Sequence, residues 1–156
     1  MSESDEVHLQ RAVALARETM ESGAGRPFGA VVVRDGTVLA EGANTMNATG
    51  DPTDHAELIA IREACKALRS ERIDGATVYA SGEPCPMCLG LMYATGVARY
   101  VFASSAADAK PLGSRAVEVY EDLRRPQSER RLIAAEHRPL PEAAVLFDDW
   151  LARTKA

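Results

Sequence analysis

The stretch Phe28-Gly29-Ala30-Val31-Val32-Val33-Arg34-Asp35-Gly36-Thr37-Val38-Leu39-Ala40-Glu41 decides the reading of the fold. Phe28–Val33 and Thr37–Glu41 read as two strands flanking Arg34-Asp35-Gly36, with Asp-Gly in a tight hairpin turn. Upstream, Ser4-Asp5-Glu6 can cap a first helix that carries Val7, Ala14, Leu15 and Met20 at helical spacing. Gly23 and Gly25 end it. Downstream, a polar loop from Ala43 to Thr53 leads into a second helix from about Asp54 to Leu68. Thr77–Ala80 reads as a buried strand, Pro86–Ala94 as a short apolar helix and Arg99–Ala103 as a strand. A helix around Arg115–Arg124, a fifth strand at Arg131–Glu136 and a final helix at Pro141–Arg153 complete the pattern. Strands alternating with helices predict an α/β fold: a three-layer α/β/α sandwich around a mixed five-stranded sheet.

No internal repeat, low-complexity tract or Ser/Gly linker divides the chain, and its 156 residues suit a single domain over residues 1–156. Hydrophobic residues make up 46% and the net charge is −5, which excludes a disordered chain. No apolar run approaches the roughly 20 residues of a membrane helix, and the acidic start MSESDEVHLQR is unlike a secretory signal. The expected setting is cytoplasmic. With 23 acidic against 18 basic residues, a broad basic nucleic-acid face is not expected either. The three cysteines, Cys65, Cys85 and Cys88, are too few and too uneven for a disulfide framework; a metal site or redox pair fits better.

Two clusters carry chemistry. Asp51-Pro52-Thr53-Asp54-His55-Ala56-Glu57 opens the second helix, and Glu83-Pro84-Cys85-Pro86-Met87-Cys88 joins a strand to the third. His55, Cys85 and Cys88 offer the nitrogen and sulfur ligands of a tetrahedral Zn2+ with a fourth position open to water. Both cysteines lie in the first turn of a helix, where N–H groups and the helix dipole favour thiolate. Pro86 fits that turn because it has no N–H to satisfy. Glu57, two residues after His55, can face the water position without being a ligand, as a catalytic proton shuttle requires. His-x-Glu followed by Pro-Cys-x-x-Cys is the zinc deaminase signature. Taken singly, the cysteines could be a redox pair or structural zinc knot, and His55 a satisfied helix-end histidine. Cys65 falls on the buried side of its helix; His8 and His137 read as surface or packing residues.

The sequence resembles the cytidine and deoxycytidylate deaminase superfamily and, within it, the bacterial guanine deaminases and related nucleobase deaminases. Arg26-Pro27-Phe28-Gly29-Ala30-Val31, Ala40-Glu41-Gly42-Ala43-Asn44, Asp51-Pro52-Thr53, His55-Ala56-Glu57, Ala60-Ile61-Arg62 and Glu83 to Gly90 carry the likeness. A weaker match covers Val119 to Leu123 and Arg125 to Arg130. The resemblance implies a cytidine deaminase-like fold, a zinc ion on His55, Cys85 and Cys88, and Glu57 as proton carrier. It implies substrate contacts from Phe28 as a wall for a flat ring, Asn44 at the polar edge of the base, and the backbone N–H of Ala56. A small heterocyclic amine would be the substrate, and a homodimer the assembly.

The chain departs from the guanine deaminase pattern in places. Asp54 precedes the metal histidine where a small residue is usual, Gly82 precedes Glu83 where a larger one is common, and Tyr93-Ala94-Thr95-Gly96 replaces aromatic-Ala-Arg. Gly113-Ser114-Arg115-Ala116 stands where guanine deaminases carry an acidic Phe-Asp-Asp segment, and the terminal Arg153-Thr154-Lys155-Ala156 lacks a closing aromatic residue. Phe147, Asp148, Asp149 and Trp150 could substitute as a lid; the alternative is an amphipathic helix burying Val145, Leu146, Trp150 and Leu151. Asp108-Ala109-Lys110 followed by Gly113-Ser114 resembles the tRNA adenosine deaminases. Three other readings therefore stand beside a free purine-like base: a tRNA adenosine deaminase, a cytosine-type deaminase and a non-catalytic zinc scaffold. Charge weighs against RNA, because residues before Lys110 include 9 basic and 15 acidic side chains.

Overall fold

The computed structural model describes residues 2–154. The hairpin forms as β1 (Gly29–Arg34) and β2 (Thr37–Ala43), paired antiparallel. Asp35 and Gly36 both take positive φ, 52° and 74°, the mirror-image turn whose twist matches that of the strands. β1 also pairs antiparallel with β3 (Thr77–Gly82), which pairs in parallel with β4 (Arg99–Ser104). The order β2-β1-β3-β4 makes a mixed sheet with β1 inside it, where its continuous apolar run is covered on both faces.

Strand alternation sends the two halves of that run to opposite layers. Val31 and Val33 pack with Ala12 and Leu15 of α1 (Glu3–Glu21) and with Tyr79. Ala30 and Val32 pack with Ala56, Ala60, Ile61 and Ala64 of α3 (Ala56–Leu68), and with Met92 of α4 (Pro86–Thr95). A short helix, α2 (Met46–Thr49), interrupts the polar loop between β2 and α3. Gly42 sets how close α3 lies to β2: a Cβ there would sit 2.3 Å from the Ala56 carbonyl oxygen. The start of α3, which carries His55 and Glu57, is thereby pressed onto the sheet.

On the other face, Asp5 ties α1 to two strands. Its carboxylate accepts from the Tyr79 hydroxyl (2.7 Å) and from both terminal nitrogens of Arg99 (2.8 and 2.9 Å). The Arg99 guanidinium, then Tyr79 and Ser2, hold that carboxyl well below the usual carboxylate range. The cap of α1 is Ser2, two residues before the expected Ser4, in a reciprocal capping box with Asp5.

Two compact units make up the chain, residues 1–120 and 121–156, with the division inside α5 (Ala116–Leu123). The expected fifth strand at Arg131–Glu136 does not form, so the sheet has four strands. The backbone N–H groups of Arg131 and Leu132 donate instead to the Asp122 carboxylate at 2.8 and 3.3 Å, leaving the segment's start held by a side chain. The final helix forms as α6 (Pro141–Thr154). Within residues 121–154 no described side chain is buried, so this unit supplies no core of its own for Val145, Leu146, Trp150 and Leu151. Cys65 is half-buried against the α3 core, and the His8 ring lies 5.0 Å from that of Tyr79. Among the described residues, no helix is long and apolar enough to cross a membrane.

Candidate active site

Two helices on the same face of the sheet bring the sequence clusters together. His55 is the N-cap of α3 and Cys85 the N-cap of α4, both in extended backbone, with Pro86 opening α4. Cys88 lies in the first turn of α4 and is fully buried. The Cys85 and Cys88 sulfurs are 3.6 Å apart, and His55 Nδ1 is 3.6 Å from the first and 3.5 Å from the second. A tetrahedral zinc with ordinary Zn–S and Zn–N bonds spans about 3.5–3.8 Å between such ligands. The triangle fits that ion, and among the described residues His55, Cys85 and Cys88 form a group able to hold a metal.

The Cys88 thiol, followed by His55, draws Cys85 down to about 4, while Cys88 itself is pushed up by Cys85 and by burial. His55 is raised, first through Cys85. Glu57 is buried beside them, and burial pushes its carboxyl upward. A raised carboxyl suits a group that must both take and return a proton.

A pocket of about 350 Å3 opens onto this cluster. His55, Glu57 and Cys85 line it, with Phe28 and Asn44 from the β1 and β2 ends; Ala56 and Cys88 are not among its lining residues. Ala56 is fully buried, and its N–H belongs to the first helical residue of α3, which has no acceptor within the helix. Asn44 is almost wholly enclosed. Its Oδ1 accepts from the backbone N–H groups of Arg26 (3.0 Å) and Met46 (3.2 Å). Two donors on one oxygen fix the amide orientation, so the side-chain NH2 remains to donate.

Asp54 has a structural explanation. Its carboxylate accepts from Arg62 on α3 (2.7 Å) and Thr45 (3.2 Å), clamping the loop that delivers His55 to the helix that follows. Glu83 accepts from the Ala106 N–H (2.8 Å) and anchors the segment after β4 over the pocket. The sequence reading missed two residues. Arg26 lines the pocket, and Tyr120 donates its hydroxyl to the Pro84 carbonyl (2.6 Å), bracing the cysteine loop. Arg26 sits in the same stretch as Phe28, and Tyr120 in the weaker matching segment, but neither has a local pattern that marks it.

Residues 2–104 match the model of the cytidine and deoxycytidylate deaminase zinc-binding region. The chain belongs to the cytidine and deoxycytidylate deaminase zinc-binding family. Within it, the chain is 43% identical over 127 residues to a guanine deaminase of Bacillus subtilis, covering 81% of each protein. The X-ray structure of guanine deaminase from Bacillus subtilis superposes with a TM-score of 0.86 at 40% identity, over 97% of this chain and 95% of that one. A tRNA-specific adenosine deaminase of Aquifex aeolicus is 32% identical over 150 residues, covering 96% of this chain and 95% of its own length. The family's zinc and the His55, Cys85 and Cys88 triangle agree: this is a zinc-dependent deaminase, a hydrolase acting on C–N bonds.

Proposed function

We propose that this deaminase acts on a free purine-like base, guanine or a close relative, and releases ammonia. The observation that carries the reading is the buried Glu57 beside the ligand triangle at a pocket sized for one flat heterocycle. Similarity to guanine deaminase over most of the chain supports it. Phe28 packs on the ring face, while the Asn44 NH2 and the Ala56 N–H donate to acceptors on its edge. Zinc, held by His55, Cys85 and Cys88, supplies water activation and stabilisation of developing negative charge. Glu57 takes a proton from the attacking water and gives it to a ring nitrogen; it then takes the remaining hydroxyl proton from the attacked carbon and passes it to the amine as the C–N bond breaks. The ring is left with a carbonyl where the amine stood, and ammonia departs.

A tRNA adenosine deaminase is the second reading, favoured by the nearly full-length Aquifex match. The acidic balance of the first 109 residues, with 15 acidic against 9 basic side chains, favours the small molecule. The proposal includes a cytoplasmic homodimer, which light scattering checks as twice the mass of one chain. The deciding experiment measures ammonia from guanine, adenine, cytosine, isocytosine, pterin and triazine substrates and from an anticodon stem-loop, beside Glu57→Ala. Turnover of guanine or a related base, lost in E57A, is expected. Inert free bases with a converted stem-loop would establish the RNA reading instead.

A further inference from the structure

Arg26 is held at the pocket by its backbone. Its N–H donates to Asn44 Oδ1 at 3.0 Å, and its carbonyl accepts from Phe28 N–H at 2.7 Å. The preceding Gly25 lies so close to Asn44 that a Cβ there would stand 1.9 Å from the Asn44 carbonyl oxygen. The chain at 25–28 is thus packed against Asn44, and position 26 cannot move off the pocket without losing these contacts.

The side chain so placed is uncommitted. Among the described residues, the Arg26 guanidinium makes no hydrogen bond and no ion pair, although acidic residues outnumber basic ones 23 to 18. The other cation lining the pocket, Arg115, is engaged by Glu118 through two hydrogen bonds of 2.9 and 3.1 Å. The carboxylates there have other tasks: Glu57 is buried at the ligand triangle, and Glu83 is bonded to Ala106. Arg26 offers five donors and no acceptor, and the neighbouring Asn44 amide has only its NH2 left to offer. The Arg26 and Asn44 side chains therefore offer positive charge and N–H donors here. A neutral ring edge uses little of that potential, whereas an anionic oxygen uses all of it. The volume of about 350 Å3 admits two fused rings and a small substituent.

We infer that Arg26 is a specificity-determining residue that holds a negatively charged oxygen group of the substrate, so that the site selects anionic aminated heterocycles over their neutral counterparts. The inference rests on the reading of this pocket as the heterocycle site. The charged oxygens can belong to a ring carboxylate or to a nucleotide phosphate, and paired probes separate the two: pterin-6-carboxylate with pterin, and guanosine 5′-monophosphate with guanosine.

Binding of each probe is measured by calorimetry in the zinc-loaded Glu57→Gln protein, with and without Arg26→Gln or Arg26→Lys, and ammonia release is followed in parallel with Glu57 intact. The expected result is tighter binding of the charged member of one pair. R26Q should weaken that member by about 10-fold or more, leave the neutral member within about threefold, and be partly rescued by R26K. Equal binding within both pairs, no binding of either charged probe, or equal loss of charged and neutral members in R26Q would overturn the inference. The two readings fail separately. An Arg26-dependent charge preference without ammonia from any heterocycle would remove the deaminase substrate reading alone. Ammonia release with no charge preference would remove the role of Arg26 alone.

Discussion

Replacing Asn44 in two ways separates what its oxygen does from what its nitrogen does. The side chain is 1% exposed, and Oδ1 is the acceptor for the Arg26 and Met46 N–H groups. Asn44→Ala strips both. At about 0.5–1.5 kcal/mol for each part-buried hydrogen bond lost, the loss is about 1–3 kcal/mol, or a fall in Tm of roughly 2–12 °C for a chain of this size. Asn44→Asp keeps an oxygen in the same place for both donors, so it should unfold at a higher temperature than N44A. It also replaces the remaining NH2 donor with an acceptor, which meets the acceptor edge of a base unfavourably. A loss of roughly 100-fold or more in kcat/KM follows. Thermal denaturation and ammonia-coupled kinetics on the two variants give the readout. Wild-type activity in N44D would show that the amide nitrogen does not meet the substrate; a wild-type Tm in N44A would show that the two hydrogen bonds contribute nothing.

Glu57→Gln should lower kcat by about 10²–10⁴-fold while the protein still carries zinc, because Glu57 stands outside the ligand triangle; loss of zinc in E57Q would contradict that arrangement. Cys88→Ser, or a chelator acting on the native protein, should cut bound zinc by at least about tenfold and lower Tm, with added zinc restoring the chelated protein; unchanged metal content by elemental analysis would refute the ligand assignment. Asp5 has a folded-state pKa below its unfolded value, so its contribution to stability is complete above about pH 4 and is lost as the pH falls further. Asp5→Asn should therefore melt below wild type at pH 7, with the gap narrowing from about pH 4 toward pH 2; a gap independent of pH would contradict the Arg99 pairing.

Local chemistry made much of this legible in the sequence. The Asp35-Gly36 turn, the unbroken apolar run of β1 and the helical spacing of α1 and α3 are short-range signals, and the elements form close to where they were expected. Arg131–Glu136 has strand-like composition, yet Asp122 takes two of its N–H groups, a competition that composition does not reveal. The apolar positions of α6 likewise call for a partner surface that the residues around them do not provide.

The sequence by itself determined the chemistry: His55, Glu57, Cys85 and Cys88 stand in an order and spacing that zinc deamination uses. Such a motif is readable because ligand type and helix position are local properties. Only the tertiary structure decided which way Asn44 faces, that Asp54 clamps the loop before His55, and that Arg26 lines the pocket with no counter-ion among the described residues. Each depends on how the loops fold back on one another, as where Arg26 and Asn44, 18 residues apart, meet. Gly25 touches Asn44, and Glu83 reaches Ala106. Specificity lives in those meetings, because a donor or a charge becomes selective only when its neighbours leave it unpaired.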